Sequence, residues 1–461
     1  MLTLAQLSKL WGDPISAGSV NLNDQLGRVC TDSRKLIKGD FFVPLKGKSF
    51  DGHSFLDKVY EMEAQATLVD RESSFLVPRE LTHWLVDDTL IAYQQLALLN
   101  RLELRFPVVA VTGSVGKTTT REMIRATISS LGEILSTREN NNNDIGVPST
   151  LLEGSISHVA AVIEMGMRSR GEIARLSDCT KPDIAVITNV GTAHIGRLGS
   201  REEIAEAKCE ITSSLKSNGV VIIPAFNTLL DDVLKKRWHG RVVRVCLEET
   251  LCNYSNKNKS FLQSNNNSLL TARLNLEKGF LEVEGHLLRI PLEGRHNALN
   301  FLLAVAVARE LRVPMESFDN LTVSTPKGRN NRIKVGEINI LDETYNSSPE
   351  AVKAALELLI SKPGRHFAAL GTMHELGEHS LSLHKEIAEY VVKSSLDGLV
   401  IISQGIEAEE MYSVAKVLPK IIVVSSPEDA VIPLKEWLQP GDNLLVKGSR
   451  SVSMERLVKL F

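Results

Sequence analysis

The chain reads as an α/β protein of three domains: a small α/β N-terminal domain, a central parallel-sheet P-loop domain of the ATPase kind, and a C-terminal, Rossmann-like doubly wound domain. Three observations lead there. Its 461 residues exceed what one hydrophobic core encloses. From Phe106 onward, short apolar runs rich in Val and Ile alternate with helix-like segments, the pattern of parallel strands covered on both faces. One run, Val108 to Thr112, turns through small residues into Lys117 and three threonines that open a helix. The boundaries that follow are 1–104, 105–325 and 326–461.

In chain order, Met1 to Trp11 forms a short amphipathic helix instead of a charged-then-apolar signal sequence, and residues up to about 100 alternate short strands and turns. The central domain places strands at Val159–Glu164, Ile184–Thr188 and Val220–Pro224, with helices at Gly171–Ser177 and Glu202–Leu215 between them. Asn253–Ser268 is a polar, asparagine-rich surface excursion, and Ala298–Leu311 is a long apolar helix. Thr325-Pro326-Lys327-Gly328 is the best linker. A hairpin (Arg332–Val335, Ile338–Asp342) then leads into helices Glu350–Ser361, Leu383–Lys393, Ala408–Val417 and Glu428–Leu438, alternating with strands His366–Leu370, Leu399–Ile402, Ile421–Val424 and Asn443–Val446. No GxGxxG turn accompanies that second doubly wound pattern, which argues against dinucleotide binding there.

Composition narrows the function classes. The chain is 43% hydrophobic and 24% charged with a net charge of −3, a balance that speaks against nucleic-acid or membrane-surface partners. The five cysteines form no CxxC pair, as expected of reduced thiols. No apolar run approaches the roughly 20 residues of a membrane helix. The expectation is a cytoplasmic monomer without membrane insertion.

The chemistry is concentrated around residues 112–120, TGSVGKTTT. A tight loop between strand and helix offers backbone N–H groups and the positive helix end to a polyphosphate. Gly113, Ser114, Val115, Gly116 and Thr119 would form that cradle, Lys117 would reach the terminal phosphates, and the Thr118 hydroxyl would face Mg²⁺. Val111 stands where the common pattern has a glycine. Ligands of a parallel sheet lie at strand carboxyl ends, and Glu164, the Asn189–His194 stretch and Lys208 follow such ends. Singly, Glu164 reads as a solvated strand end, His194 as a loop histidine and Lys208 as a surface lysine. Together, behind a P-loop, they make a metal site plausible.

The motifs TGSVGKTTT (112–120), NNNNDIGVPST (140–150), EMGMRSRGEIARL (164–176), TNVGTAHIGRLGS (188–200), AKCEI (207–211), GRHNALN (294–300), DETYNSSPEA (342–351), LGTMHELGEHS (370–380) and KGSRSVSME (447–455) resemble the Mur ligase family nearly end to end. These are ATP-dependent amide-forming enzymes of peptidoglycan synthesis. The EMGM, TYN-x-x-P and GTMHELG stretches resemble the member that adds D-alanyl-D-alanine to UDP-N-acetylmuramoyl-tripeptide. The resemblance implies ATP and Mg²⁺ as cofactors, with Glu164, His194 and a carbamylated Lys208 as metal ligands, and Lys117, His194 and Lys208 as the catalytic set. It implies that Asn297 reads the adenine, that Arg329 or its neighbour Arg332 closes over the nucleotide, and that Glu343 meets the ribose. Asn142 and Asn143 would lie near the acyl-phosphate; Asp32, Ser33, Arg34, Asp51, Gly52 and His53 would cradle the UDP-sugar. Tyr345, Asn346 and the Gly371–Gly377 loop would face the dipeptide. The chain departs from the family pattern at Glu139 (usually glycine), Glu343 (usually aspartate), Thr372 (often aspartate) and Val115 (commonly polar). Two rival readings stand beside this one: a neighbouring family ligase adding a single amino acid, and a P-loop ATPase acting as a partner-binding switch.

Overall fold

The computed structural model describes residues 2–17, 20–47, 49–252, 267–318 and 321–461. All but the last two residues of the asparagine-rich stretch 253–268 lie outside them. Three sheets organise the chain.

The first is a four-stranded parallel sheet, ordered β1 (Val29–Cys30), β2 (Phe41–Phe42), β3 (Ala66–Asp70), β4 (His83–Val86). Helices α1 (Leu4–Trp11) and α2 (Leu56–Glu61) accompany it. A third helix, α3 (Thr89–Glu103), replaces the strand-and-turn pattern expected near residue 100. The Asp88 carboxylate caps it, accepting from the Leu90 and Ile91 amides. This helix is buried on opposite sides, which removes the one-faced apolar stripe that would mark it in the sequence. Ala92, Tyr93 and Leu96 pack with Phe41 and Trp84 in the first core, while Ala97 joins the core of the next unit. The Arg101 guanidinium donates to the carbonyls of Thr180 and Leu104 and to Asp183 (3.0 Å), and the Asn100 amide donates to the Leu151 and Gly154 carbonyls. So α3 is the clamp between the first and second sheets.

The second sheet has nine strands: β5 (Val108–Thr112), β6 (Glu133–Ser136), β7 (His158–Glu164), β8 (Ile184–Ile187), β9 (Val220–Pro224), β10 (Arg241–Leu247), β11 (Asn267–Asn275), β12 (Phe280–Val283) and β13 (His286–Arg289). Their spatial order is β13-β12-β11-β10-β9-β8-β5-β7-β6, antiparallel only at the β11–β12–β13 end. All five β5 residues are fully or almost fully buried. Val108 and Ala110 belong to one core and Val109 and Val111 to the other, which accounts for an unbroken apolar run in place of alternation. Its helices are α4 (Lys117–Thr127), α5 (Gly146–Leu152), α6 (Glu172–Thr180), α7 (Ile195–Leu198), α8 (Arg201–Cys209), α9 (Thr228–Arg237), α10 (Glu248–Cys252) and α11 (Arg295–Glu310). The α11 helix packs on α4, burying Phe301, Val305 and their neighbours against Met123 and Ile124.

The third sheet contains β14 (Asn331–Val335), β15 (Ile338–Glu343), β16 (His366–Gly371), β17 (Gly398–Ile402), β18 (Ile421–Val424) and β19 (Asn443–Lys447) in the order β14-β15-β19-β16-β17-β18. Only the β14–β15 hairpin is antiparallel. Helices α12 (Pro349–Ile360), α13 (Ser380–Lys393), α14 (Ile406–Ala415), α15 (Val431–Trp437) and α16 (Glu455–Val458) complete a doubly wound unit. The hairpin and the alternating elements agree with the sequence pattern to within a few residues at each end. No described helix is long and apolar enough to cross a membrane.

Replacing Arg101 by Ala leaves the Thr180, Lys181 and Leu104 carbonyls without this donor, and Asp183 with the Val108 amide and the half-exposed Lys216 as partners. A loss of about 3 kcal/mol is expected. It is measured as a lower urea midpoint at unchanged slope.

Candidate active site

The β5 strand lies between β7 and β8, with Val111 opposite Glu164 and Thr112 opposite Ile187. The carboxyl ends of three strands are therefore level, and everything that leaves them enters one small volume. Val111 sits inside the strand, fully buried, so a glycine there would only weaken the sheet. The loop proper starts at Gly113, whose φ of 153° and position leave no room for a side chain: a Cβ would lie 1.9 Å from Thr188 Oγ1. Gly116, with φ 81°, caps α4 in the left-handed region.

A neighbouring loop shapes this turn. Asn189 Oδ1 accepts from the Ser114 and Val115 amides, and its amide group and the Thr188 hydroxyl both donate to the Val115 carbonyl. The Gly191 amide donates to Ser114 Oγ. The amides of Ser114 and Val115 are thus spent on Asn189, and Val115 serves through its backbone. The N–H groups free to meet an anion include those of the first turn of α4, Lys117 to Thr119, which have no intrahelical acceptor. Lys117 Nζ folds back onto the Gly113 and Ser114 carbonyls (2.8 and 3.3 Å). Burial lowers its pKa, the Glu164 charge opposes that, and Arg329 adds to it. The Thr118 side chain is buried.

Glu164, 1% exposed, closes β7. Its carboxylate accepts from Asn142 Nδ2 (2.8 Å) and from Arg121 Nη1 (3.0 Å). Arg121, itself 2% exposed and one turn beyond Lys117, also holds Glu122 and donates to the Glu139 carbonyl. Glu139 has φ 50°, the left-handed region that glycine enters without strain. This is the physical content of the departure at that position. Asn143 Oδ1 accepts from the Ile145 and Gly146 amides, so its side-chain oxygen shapes the turn into α5.

Lys208 is not the surface lysine that its amphipathic helix suggests. It is 1% exposed, and its amine has no hydrogen-bond or ion-pair partner among the described residues. Burial and the nearby Lys117 hold its pKa well below the ordinary lysine value. His194 is lowered by burial, then by Lys117; Glu375 opposes this and Lys208 adds to it. Lys117, Lys208, His194, Glu164 and Arg329 thus share one electrostatic neighbourhood. Among the described residues no three His, Cys, Asp or Glu side chains converge as metal ligands. Glu164 and His194 supply two donors of the right class, the Thr118 hydroxyl is a third, and a divalent cation there requires Lys208 to lose its positive charge.

The third unit closes one side. Arg329 lies over the Tyr345 ring, 3.9 Å from its centroid, and its charge is felt at Lys117. Arg332 turns away, to Asn330 Oδ1 and Glu293. The two arginines that the sequence leaves as alternatives are thereby separated. Glu343 accepts from the Asn330 amide, and the buried Lys447 donates to the Glu343 and Asn346 carbonyls. Asn297 is buried in the first turn of α11, its side chain donating to the Glu293 carbonyl. The Gly371–Gly377 loop, expected to face a dipeptide, docks on the His194 loop through Glu375: its Oε2 lies 2.6 Å from His194 Nδ1, and its carbonyl accepts from the Gly196 amide.

The N-terminal candidates form a separate group. Asp32 accepts from the Arg34 backbone and guanidinium; those bonds lower its pKa to about 2. Ser33 is buried beside them, and Arg34 is 83% exposed. His53 is a correction to the sequence reading: its side chain is fully buried, with Nδ1 on Asp51 Oδ1 and Nε2 accepting from the Asp70 amide. Gly52 packs directly on Pro44 and Leu45. Beside Arg34 the group also presents Lys46, paired with Asp70 (2.6 Å), which the sequence pattern did not single out.

Comparisons with known proteins agree with this layout. Residues 111–308 match the Mur ligase middle domain, and residues 328–450 match the domain described as Mur ligase, glutamate ligase domain. A UDP-N-acetylmuramoyl-tripeptide--D-alanyl-D-alanine ligase from Synechocystis sp. is 39% identical over 96% of this chain and 94% of its own length. The ligase of the same name from Bacillus subtilis is 36% identical, covering 94% and 92%. Among solved structures, MurF from Acinetobacter baumannii superposes with a TM-score of 0.81 at 31% identity, covering 94% of this chain and 92% of that one. MurF ligase from Thermotoga maritima in complex with ADP gives 0.80 at 29%, covering 94% and 97%.

Because the folded protein holds Lys208 at a lowered pKa, the unfolded chain binds more protons below the ordinary value of 10.5. Lys208 therefore costs stability at neutral pH, and the cost fades as pH rises toward that value. In buffer free of carbon dioxide, Lys208→Met should have a higher urea midpoint than the parent at pH 7, with the two converging near pH 10.

Proposed function

The chain belongs to the Mur ligase family, and from that premise we propose that it joins D-alanyl-D-alanine to UDP-N-acetylmuramoyl-tripeptide at the expense of ATP. The observation that carries this reading is the match to ligases of that name along nearly the whole chain, at 39% identity in the Synechocystis sp. protein. The site is built for it. Phosphoryl transfer asks for positioning and neutralised charge more than for covalent chemistry. The first turn of α4 and Lys117 would hold the β- and γ-phosphates, Asn297 the adenine, and Arg329, steadied on Tyr345, would approach from the third unit. Asn142 orients the Glu164 carboxylate at the same place.

The tripeptide carboxylate attacks the γ-phosphorus, and ADP leaves with the bridging oxygen. The resulting acyl-phosphate is attacked by the free amine of the dipeptide, forming the amide and releasing phosphate. Lys117 balances charge as it moves from the β–γ bridge to the departing ADP. The docked third unit excludes water, which would otherwise hydrolyse the acyl-phosphate.

Mg²⁺ fits the donors: Glu164, the Thr118 hydroxyl and the Nε2 atom of His194 would hold it, and it would neutralise phosphate charge when bound. Lys208 fits as the fourth contributor only in modified form. A buried amine with a lowered pKa and no partner among the described residues is the neutral nucleophile that adds carbon dioxide, and the carbamate so formed is an anionic oxygen donor. Asp32, Ser33, Arg34 and the Asp51–Gly52 backbone, together with Lys46, would bind the UDP-sugar. Tyr345 and Asn346 would meet the dipeptide.

Two experiments test the reading. Incubation of ATP and the UDP-tripeptide with D-alanyl-D-alanine or with single amino acids should give a ligated product by mass only with the dipeptide. Product with a single amino acid, or ATP hydrolysis indifferent to the UDP-tripeptide, favours the rivals. Lys208→Ala should lose about a hundredfold or more in kcat and recover part of it with short carboxylates. Near-normal activity without them removes the carbamate.

A further inference from the structure

The segment from Thr188 to Leu198 is held from two directions. On one side Thr188, Asn189 and Gly191 shape the P-loop. On the other the third unit grips it twice. Glu350, at the start of α12, accepts from the Thr192 amide at 2.7 Å and lies so close to Gly191 that a Cβ there would meet its carboxyl carbon at 2.6 Å. Further along, Gly196 and Gly377 touch backbone to backbone: a Cβ on Gly196 would lie 2.4 Å from Gly377 N, and one on Gly377 2.6 Å from Gly196 Cα. Two glycines thus allow the two loops to meet with nothing between them.

That approach delivers one carboxylate. Glu375 Oε2 sits 2.6 Å from His194 Nδ1, and Arg197 Nη2 donates to the other oxygen at 3.2 Å, fixing the carboxylate from both ends. An ionised carboxylate only accepts, so the imidazole proton is on Nδ1 and the lone pair is on Nε2. Both residues are held in the left-handed region, His194 at φ 69° and Glu375 at φ 64°, a conformation that persists only where the surroundings impose it. At the imidazole the charges of Lys117 and Lys208 act in one direction and the Glu375 carboxylate acts in the other.

We propose that Glu375 is a positioning residue for His194, carried in by the third unit, so that docking of that unit sets the tautomer and aim of the imidazole. This inference rests on the reading of His194 as a metal ligand. It makes closure and cation binding mutually supporting: whatever docks the third unit raises the affinity of the site for the cation, and the reverse follows by linkage.

The test uses full-length protein with ADP bound, Mn²⁺ as the probe, and selectively ¹⁵N-histidine-labelled samples whose His194 resonance is assigned from His194→Ala. The Glu375→Ala variant should bind Mn²⁺ about 10- to 100-fold more weakly and lose the single Nδ1–H tautomer of the metal-free protein. Glu375→Gln, whose amide oxygen can still accept that proton, should recover most of both. Gly377→Ala, which keeps the carboxylate but blocks the approach, should resemble Glu375→Ala. Unchanged Mn²⁺ affinity and tautomer in Glu375→Ala overturn the proposal if His194→Ala does weaken Mn²⁺ binding. If His194→Ala binds Mn²⁺ as the parent does, it is the ligand reading that fails.

Discussion

The placement of β5 between β7 and β8 is the constraint on which the rest depends. Its ladder brings Val111 opposite Glu164 and Thr112 opposite Ile187, so the P-loop, the Glu164 carboxylate and the Thr188–Leu198 loop leave the sheet side by side. Five strand residues buried on both faces make that register hard to shift, since a slip would move each core's side chains out of place. The consequence is a concentration of charge in a poorly solvated volume. Lys117 there feels both Glu164, whose carboxylate is already tied to Arg121, and Arg329, while Lys208 feels Lys117. Such an excess of positive charge suits ligands that arrive with phosphates and carboxylates, and it explains why a lysine without a counter-ion is tolerable only if its amine is neutral or modified.

Catalysis and domain arrangement meet in the loop after β8. One set of bonds sets the backbone of the P-loop; another is formed with residues of the third unit. Nothing in that loop requires long-range rearrangement to couple the two. A few hydrogen bonds, two close glycine contacts and two residues held in left-handed conformations are sufficient to make the His194 geometry depend on a docked partner unit. The α3 helix plays a different part at the other end, tying the first sheet to the second through the buried polar groups of Asn100 and Arg101.

How far this was legible in the sequence follows from which side chains reveal their surroundings. The P-loop and the third unit were legible because strand runs there alternate with helices of ordinary amphipathic pattern. The α3 helix was not, because contact on opposite sides erases its stripe. Lys208 looked like a surface residue because an amphipathic helix gives no sign of what covers one turn; its role came from resemblance, and its burial from the fold. Arg121 follows Lys117 by one helical turn on a segment already read as a helix, so that spacing was a usable signal. Glu375 could not be found locally, since it meets a residue 181 positions away. His53 shows the opposite failure: a histidine in a polar loop reads as a ligand, while in the fold both its nitrogens are committed to holding that loop.

The central claim is that the phosphate held by this loop passes to a carboxylate and not to water. The most direct measurement places a heavy-oxygen label in the tripeptide carboxylate, runs the ligation with unlabelled ATP in unlabelled water, and weighs the released phosphate. The account predicts that each phosphate released carries one labelled oxygen. Phosphate without the label, released at the rate of amide formation, would contradict it.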